Sequence, residues 1–328
     1  MKSEEITYVI QGPVCNTTSS LIDGILGIND RANIIVSTWA SSLQAELINK
    51  YSNTANVKII TNDDPGQVSG GKETWFNNIN RMITSTLNGV RAVRTPYAMK
   101  VRADATLDYS AFYSNANPNN NNSETIIAEI FANEFIKKSQ CIRPKLFLTK
   151  PIIMCWSMSH APFFTYYMSD WFQFGLTKDL VDLWDIPLAC TEDAEYFKHH
   201  HQRSSIFCRY GQYISNDFLA RWHSEQYVLI NFLIKKGHVP LVNHRNDWSL
   251  QKLLAGYKVL VSDFGVVDRS SICFKINKYP QKKRFFNLWL FKFLERSNSD
   301  FVSLVVLATV YTAYAFYLSS KKLIVRIS

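Results

Sequence analysis

The feature of the sequence that most constrains its fold is a regular alternation of β-type and helical patterns through the first hundred residues. The clearest helical pattern lies at 75–90, where apolar residues recur with a 3.6-residue period. Helices between short β-rich runs indicate βαβ units, in which right-handed crossovers join parallel strands. The sequence therefore predicts an α/β fold, a Rossmann-type sheet with helices on both faces. The predicted strands are Ile6–Ile10, Asn33–Ser37, Val57–Thr61 and Tyr97–Val101, and the other predicted helices in this region are 17–28 and 40–50.

Composition and charge exclude several classes of protein. Of the 328 residues, 47% are hydrophobic and 19% are charged, which excludes a disordered chain, a collagen and a coiled coil. Residues 1–130 carry 10 Lys/Arg and 12 Asp/Glu, whereas residues 270–328 carry 10 and 2, a balance of +8. A basic end favours contact with an anionic surface over binding of nucleic acid along the fold.

Cysteine usage and the first residues predict a cytoplasmic protein. The six cysteines are scattered, with no CxxC pair and no zinc-ligand spacing. The polar start Met1–Glu5 leads directly into the first predicted strand, without an apolar signal region. We therefore expect free thiols in a reducing compartment.

The last fifty residues differ in character from the rest, so we divide the chain into a domain at 1–275 and a tail at 276–328. Phe285–Leu294 is almost entirely apolar, and 301–320 contains no charged residue. Three arrangements fit this pattern: a helix lying in the membrane interface, a single span, and a hydrophobic element packed on its own domain. We expect a basic, hydrophobic helical tail that holds the protein at the inner face of the membrane.

Polar residues near the fourth predicted strand are candidates for phosphate and metal binding. Arg102-Ala-Asp104 ends this strand, and open α/β sheets bind ligands outside the carboxyl ends of their strands. Asp104 is therefore placed to hold Mg²⁺ or Mn²⁺ against a diphosphate, although a turn role stays open. Asn78 and Arg81 belong to a polar helix face that either contacts a phosphate or sugar hydroxyl or is solvated.

Two further carboxylates have surroundings that suit sugar chemistry. Asp170 precedes Trp171 and Phe172, whose rings would stack on a sugar while the carboxylate binds its hydroxyls; a buried aromatic turn is the alternative. Glu225 stands at the start of a predicted helix, with Ser224 as its N-cap. A carboxylate there is either catalytic or serves helix capping and dipole compensation. His244 follows a strand predicted near 238–242 and would by itself be structural.

Seven short motifs occur in one order along the chain. They are Val9–Pro13, Ile35–Trp39, Asn62–Gly66, Asn77–Arg81, Lys100–Asp104, Ser169–Gly175 and Ser224–Tyr227. With this set the chain resembles the WavE lipopolysaccharide-synthesis family over about residues 6–245, without the basic tail. The family is regarded as glycosyltransferase-like, with a GT-A type nucleotide-sugar fold, so the resemblance implies a class of reaction.

The resemblance also implies roles for individual residues. Arg102-Ala-Asp104 corresponds to the DxD metal motif with Arg102 in place of the first Asp, so either Asp104 binds the metal alone or Arg102 binds the diphosphate. Ser224-Glu225-Gln226 is similar to the motif that supplies the general base of inverting enzymes, with Asp170 as the alternative base. His244 falls where many GT-A enzymes have a metal-binding histidine. The residues expected to border the donor are Gln11, Gly12, Asp63, Asn78, Arg81 and Arg102.

The resulting hypothesis is an inverting, Mn²⁺- or Mg²⁺-dependent glycosyltransferase. It would move a sugar from a nucleotide sugar to a hydroxyl of a lipopolysaccharide core, capsule or other surface glycan. Its expected partners are the nucleotide sugar, a glycolipid or oligosaccharide acceptor and an anionic membrane surface. Two alternatives stay open: a sugar nucleotidylyltransferase, and a non-catalytic membrane-bound protein that binds glycans.

Overall fold

A computed structural model describes residues 3–69, 76–107, 146–156, 165–200, 219–268 apart from 246 and 248, 274–276, and 285–313 apart from 298 and 311. The strands are β1 (Ile6–Gln11), β2 (Asn33–Trp39), β3 (Val57–Asn62), β4 (Val68–Ser69), β5 (Phe76–Asn77), β6 (Tyr97–Arg102), β7 (Ala105–Leu107), β8 (Ile152–Trp156), β9 (Phe172–Leu176), β10 (Phe264–Asp268) and β11 (Phe274–Ile276). The helices are α1 (Asn16–Ile28), α2 (Ser42–Tyr51), α3 (Ile79–Arg91), α4 (Thr177–Trp184), α5 (Thr191–Ala194), α6 (Tyr196–His199), α7 (Ser224–Lys235), α8 (Leu250–Asp263) and α9 (Phe285–Arg296).

Seven strands form one mixed sheet in the order β10-β8-β9-β6-β1-β2-β3. The strands β1, β2, β3 and β6 are parallel, which confirms the prediction from the βαβ pattern. By contrast, β9 is antiparallel to both β6 and β8, and β10 is parallel to β8. Because β9 runs antiparallel, its amino end lies at the carboxyl end of β6, where Phe172 pairs with Val101.

Helices cover both faces of this sheet, as predicted. Successive residues of a strand point to opposite faces, so Val9 and Ile10 of β1 belong to different apolar clusters. Val9 packs in a cluster with α3, α4, α7 and α8. Ile10 packs in a second cluster with α1 and α2. The α/β fold class is therefore confirmed.

Helix α3 approaches the sheet closely at Gly89. A Cβ atom at this position would lie 2.6 Å from Val9 Cγ1 and 3.0 Å from Ser37 Cβ. Real side chains do not tolerate the first of these distances, so the close packing of α3 on β1 and β2 requires glycine here. This packing sets where the first turn of α3 lies relative to the strand ends.

Two predicted elements differ from the structure. Helix α3 begins at Ile79 rather than near 75, because β5 pairs with β4 and the Asn77 side chain accepts a hydrogen bond from the Ile79 amide (3.0 Å). The strand predicted at 238–242 is wrong, since this segment has no regular structure and Val239 is 81% exposed. Gly237, with φ of +77°, ends α7 immediately before it.

The described part of the tail packs on the main body. Leu290, Phe291 and Leu294 of α9 are buried in the cluster that contains α8 and β10. Leu307 and Val310, in a helical segment at 300–310, belong to the same cluster. Residues 285–310 thus share a core with residues on the other side of the boundary proposed at 275. No described helix is both long enough and apolar enough to cross a membrane, and residues 314–328 lie outside the described part of the chain.

Candidate active site

The carboxyl ends of β1, β2 and β6 meet at one edge of the sheet, which we call the carboxyl edge. In the register of the sheet, Gln11 of β1 pairs with Ser37 of β2 and with Arg102 of β6. The Gly12 amide donates to the Ser37 carbonyl (3.2 Å). Gly12 has φ of +113°, and a Cβ there would meet no atom within 4 Å. Glycine is therefore required by the backbone turn and not by crowding, and the turn borders open space on the ligand side of the sheet.

A buried polar network lies directly beneath this edge. The Gln11 side-chain oxygen accepts a hydrogen bond from Ser85 Oγ of α3 (2.9 Å). Asn62 Nδ2 donates to Ser37 Oγ (3.0 Å), and Asn88 Nδ2 donates to Asn62 Oδ1 (2.8 Å). These bonds join α3 to the ends of β1, β2 and β3, and the predicted residue Gln11 is one of the anchors.

Arg102 and Asp104 form a two-pronged ion pair at the carboxyl edge. Arg102 Nε lies 2.9 Å from Asp104 Oδ1, and Arg102 Nη2 lies 2.7 Å from Asp104 Oδ2. The remaining nitrogen, Nη1, lies 3.7 Å from Asp170 Oδ2. About a quarter of the Arg102 side chain is exposed (24%). The guanidinium is thus fixed between two carboxylates, which offset its charge, and part of it stays accessible to a ligand such as a phosphate.

Asp170 is buried at the amino end of β9, with 5% of its side chain exposed. Its main chain is held in place, because the buried Lys100 donates to the Asp170 carbonyl and Gln173 Nε2 donates to the Ser169 carbonyl (3.0 Å). Asp170 Oδ1 makes no hydrogen bond within the described part of the chain. A buried oxygen without a donor costs about 1–3 kcal/mol, so a ligand hydroxyl at this atom would be stabilised.

Glu225, at the start of α7, interacts electrostatically with Asp170. Burial and the negative charge of Asp170 raise the pKa of Glu225 to about 7. A hydrogen bond from Tyr167 and the charge of Arg102 act in the opposite direction. Protein atoms surround the Glu225 carboxylate, yet the residue keeps partial exposure to solvent. A carboxylate that titrates near neutral pH can take up a proton from a reacting hydroxyl.

The reciprocal capping hydrogen bond at the start of α7 involves Gln226, while Glu225 stands in the first turn and accepts a hydrogen bond from its own amide. The N-cap of α7 is His223, not Ser224 as predicted, and the His223 amide donates to the side-chain oxygen of Gln226 (3.3 Å). Gln226 is fully buried, and its Nε2 donates to the Thr165 carbonyl (2.8 Å). Gln226 is therefore structural, and Glu225 both lies at the positive end of the helix dipole and interacts with Asp170.

A second polar group lies at the carboxyl edge near β2 and β3. Arg81 Nε lies 2.7 Å from Asp64 Oδ1, and Arg81 Nη1 lies 3.1 Å from Asn78 Oδ1. The hydrogen bonds from Arg81 hold the pKa of Asp64 below its usual value. The Arg81 guanidinium lies 5.7 Å from the centroid of the Trp39 ring. The structure thus brings the predicted Asn78 and Arg81 together with Asp64, whereas the predicted Asp63 is exposed beside them.

The two predicted metal ligands have different surroundings. His244 contacts the rings of Phe197 (5.3 Å between centroids) and Tyr196 (6.1 Å), and burial lowers its pKa. Both carboxylate oxygens of Asp104 accept hydrogen bonds from Arg102. Among the described residues, no group of three or more His, Cys, Asp or Glu is arranged to hold a metal ion. These residues do not by themselves form a metal centre, and dependence on Mn²⁺ or Mg²⁺ stays a prediction.

Sequence reasoning missed four residues of the site, one of which is Asp64, where the neighbouring Asp63 was predicted. Trp39 ends the second strand and was visible in one of the seven motifs, and Tyr167 lies three residues before Asp170 in a segment without a periodic pattern. Lys100 is fully buried within β6 and lies 5.1 Å from the Trp184 ring centroid. A lysine in a strand is usually exposed, so the sequence carries no signal for this burial.

A depression of about 540 Å³ lies at the opposite edge of the sheet. It is lined by Pro96, which precedes β6, by Leu176 at the end of β9 and by Val181 of α4, among others. It contains none of the candidate residues. The chemistry-bearing side chains are therefore concentrated at the carboxyl edge.

Comparison with protein families decides the relationship that the seven motifs indicated. The model described as WavE lipopolysaccharide synthesis matches residues 6–327. The chain belongs to the WavE family. This match includes most of the basic tail, so the expectation that the resemblance ends near residue 245 is wrong.

Solved structures resemble the WavE chain only distantly. S. aureus TarS 1–349 in complex with UDP is 11% identical, with 90% of this chain and 66% of that chain covered and a TM-score of 0.35. A second structure of S. aureus TarS 1–349 is 10% identical, with 82% of this chain and 59% of that chain covered and a TM-score of 0.33. A cytidylyltransferase from Leptospira borgpetersenii is 10% identical, with 59% and 69% covered and a TM-score of 0.33. The chain thus spans 59% of TarS 1–349 in the second of these comparisons. The assignment to the α/β class is based on the seven-stranded sheet and its helices, not on these similarities.

No curated protein matches the chain.

Proposed function

We propose that this WavE protein is a glycosyltransferase that moves a sugar from a nucleotide sugar to a hydroxyl of a lipopolysaccharide core, capsule or related surface glycan. The observation that carries the proposal is the pair of carboxylates, Asp170 and Glu225, beside Arg102 at the carboxyl edge. Membership of a lipopolysaccharide-synthesis family supports the class of acceptor. The site offers a base and a fixed cation at one place, which are the two groups that glycosyl transfer needs.

In the proposed reaction Glu225 is the general base. The acceptor oxygen forms a bond to the anomeric carbon of the donor sugar while the bond from that carbon to the diphosphate oxygen breaks. The acceptor proton passes to the Glu225 carboxylate, and the electron pair of the broken bond stays on the diphosphate. Attack from the side opposite the leaving group inverts the anomeric carbon. Asp170 Oδ1, which is buried without a donor among the described residues, binds a sugar hydroxyl and orients it.

Arg102 stabilises the charge that develops on the departing diphosphate. Its guanidinium is fixed by Asp104 and partly exposed, so little reorganisation is needed when the charge appears. The nucleoside lies along the turn at Gly12 toward Trp39 and Arg81, where a ring and a guanidinium are available for stacking and for phosphate or ribose contacts. This mechanism uses only residues of the chain.

The first test is donor binding measured by thermal denaturation. The melting temperature of the full chain is recorded with UDP-, GDP-, CMP- and dTDP-linked sugars, each with Mn²⁺ and with EDTA. A ligand at about 100 times its Kd stabilises the native state by about 2.7 kcal/mol, which gives a rise of several degrees. The same measurement is made with nucleoside triphosphates together with sugar phosphates, because these are the substrates that a sugar nucleotidylyltransferase would bind.

The proposal expects at least one nucleotide sugar to raise the melting temperature more than its nucleoside triphosphate does. No rise with any nucleotide sugar would contradict it. A rise that EDTA abolishes would support the predicted metal dependence, and a rise that EDTA leaves unchanged would contradict that prediction while leaving the transferase proposal in place.

A further inference from the structure

We propose that the outer face of the tail helices is a docking surface for an anionic lipid bilayer. This outer face consists of Trp289, Lys292, Phe293 and Arg296 of α9 together with Phe301, Val302 and Val305 of the segment at 300–310. The proposal goes beyond glycosyl transfer and does not depend on it.

The helical period of α9 separates an inner from an outer side. Leu290, Phe291 and Leu294 point inward and are at most 2% exposed. The positions of the outer residues, 289, 292, 293 and 296, are spaced i, i+3, i+4 and i+7, which places them on one helix face. Trp289 is 52% exposed, and its ring stacks on Phe293 with 5.6 Å between centroids. Trp289 thus presents an aromatic ring to solvent, whereas Phe293 is partly buried and packs against the main apolar cluster.

The segment at 300–310 repeats this division. Ser303, Leu307 and Val310 are buried, whereas Phe301 is 75% exposed and its neighbours Val302 and Val305 are about half exposed. Among the described residues, Trp289 and Phe301 are the two aromatic side chains with large exposure. Exposed apolar residues that are scattered singly need no explanation, but here four of them lie on two consecutive helices whose inner sides share one core, which favours an interaction surface.

The charges on the outer face favour an anionic membrane as its partner. Lys292 and Arg296 flank the aromatic pair, and both are exposed. Within the two helices Glu295 and Asp300 offset Lys292 and Arg296, and Asp300 is paired with Lys258. The positive excess of residues 270–328, 10 Lys/Arg against 2 Asp/Glu, comes from the sequence that flanks the helices. Aromatic and aliphatic side chains between cations are typical of helices that lie in a membrane interface. A symmetric contact with a second copy would instead bring Lys292 and Arg296 near like charges.

The packing of the tail specifies docking without insertion. The inner side of α9 is part of the core with α8 and β10, and Lys258 of α8 forms an ion pair with Asp300 (2.6 Å). Within the described residues no helix is suited to cross a bilayer. A bilayer bound at the outer face would therefore hold the whole α/β body at a fixed place on the membrane surface, rather than through a loose anchor.

The test is flotation of the full chain with vesicles of phosphatidylcholine containing 30% phosphatidylglycerol, and with pure phosphatidylcholine vesicles, without donor. One variant combines Trp289→Gln and Phe301→Gln, and another combines Lys292→Glu and Arg296→Glu. The matched controls are Val239→Gln with Leu241→Gln, which are exposed apolar residues elsewhere, and Arg31→Glu with Lys58→Glu, which are exposed cations elsewhere. Far-UV circular dichroism and melting temperature verify that each variant is folded.

We expect the wild type to float with the anionic vesicles and at least fivefold less with the neutral ones. Each cation near an anionic surface contributes about fivefold, so the charge-reversed variant should partition at least tenfold less. The aromatic variant should fall similarly, and both controls should match the wild type. Equal flotation of the variants and the wild type would overturn the proposal. The proposal would also be overturned if the wild type did not float with vesicles but formed a dimer in solution, and if the outer-face variants dissociated that dimer.

Discussion

At the scale of single residues, the behaviour of Glu225 is set by its neighbours. Burial and the charge of Asp170 both disfavour the ionised carboxylate, which is why its pKa rises to about 7 from 4.5. A general base must be ionised to accept a proton, so the proposed activity should increase as the pH rises through about 7. Tyr167 and Arg102 limit the shift and keep the ionised form accessible at neutral pH.

The substitution Asp170→Asn tests this coupling. Removing the negative charge removes one of the two causes that raise the pKa of Glu225, so the acidic limb of the pH profile should move to lower pH. The profile of kcat/KM against pH reports the ionisation of the free enzyme. Asp182→Asn is the control. The Asp182 carboxylate, on α4, is partly exposed (32% of its side chain) and is paired with Lys235 and Lys236. A midpoint that stays in place or moves to higher pH would show that Asp170 does not act on Glu225.

Arg102→Lys separates charge from geometry at the same edge. Lysine keeps the positive charge but loses the planar fork that binds Asp104 with two hydrogen bonds and presents the third nitrogen. A hydrogen bond to a charged group contributes about 1.5–3 kcal/mol, so donor affinity should fall roughly 10- to 100-fold in calorimetric titration. Arg91→Lys is the control, since Arg91 pairs with Asp185 near the opposite edge (2.8 Å). Unchanged donor affinity in Arg102→Lys would exclude a diphosphate contact at this residue.

At the scale of elements, sequence periodicity predicted the helices and strands whose formation depends mainly on local sequence. The four parallel strands and α1 to α3 appear within a few residues of their predicted positions, because each has a clear period and a turn on either side. The antiparallel β9 was not predicted, since 165–176 has no alternation that distinguishes a strand from an aromatic turn. The candidate residues Asp170, Glu225, Arg102 and Asp104 were recognisable individually. Their meeting point depends on β9 running toward the opposite edge, which is a tertiary property.

The choice of Asp63 over Asp64 illustrates the same limit on a smaller scale. Both follow β3, and the sequence does not distinguish them. The structure does, because the turn at Gly66 donates its amide to Asp64 Oδ1 (2.9 Å) and orients this carboxylate toward Arg81. A side chain's direction at a strand end depends on the turn that follows and on its ion-pair partner, which here is Arg81, seventeen residues further along the chain.

The position of α3 is testable through its glycine. Gly89→Ala would place a Cβ against Val9 and should destabilise the protein by about 1–3 kcal/mol in urea denaturation. Gly27→Ala in α1 is the matched control, because a Cβ there meets no atom within 4 Å. Alanine at an unobstructed helix position should instead stabilise by about 0.5–1 kcal/mol. Equal effects of the two substitutions would show that α3 does not approach β1 closely.

At the scale of the whole molecule, the tail belongs to the folded body. The sequence suggested a tail at 276–328 that is separate from the domain, because its composition is so different. The structure places Leu290, Phe291 and Leu294 in the main apolar cluster, so their removal would expose α8 and β10. The family match through residue 327 agrees with a tail that is integral to the protein.

Leu290→Ala measures this integration. Deleting a fully buried leucine side chain costs about 2–5 kcal/mol of the free energy of unfolding. Lys292→Ala, two residues further and exposed, should change it by less than about 0.5 kcal/mol. Urea denaturation of both variants gives the comparison. A small loss for Leu290→Ala would mean that the tail folds apart from the domain, as the boundary at 275 implied.

The central claim, that Glu225 is the base of a glycosyl transfer, is tested most directly by acceptor-dependent turnover. Release of the nucleotide, a nucleoside diphosphate or, from a CMP-linked sugar, CMP, is measured from each nucleotide sugar that binds, with and without core-truncated lipopolysaccharide as acceptor. Glu225→Gln should lower turnover roughly 10²- to 10⁴-fold while donor affinity stays within about twofold, and the exposed control Glu46→Gln should behave as the wild type. Full turnover in Glu225→Gln would contradict the account, and collapse in Asp170→Asn alongside it would assign the base to Asp170.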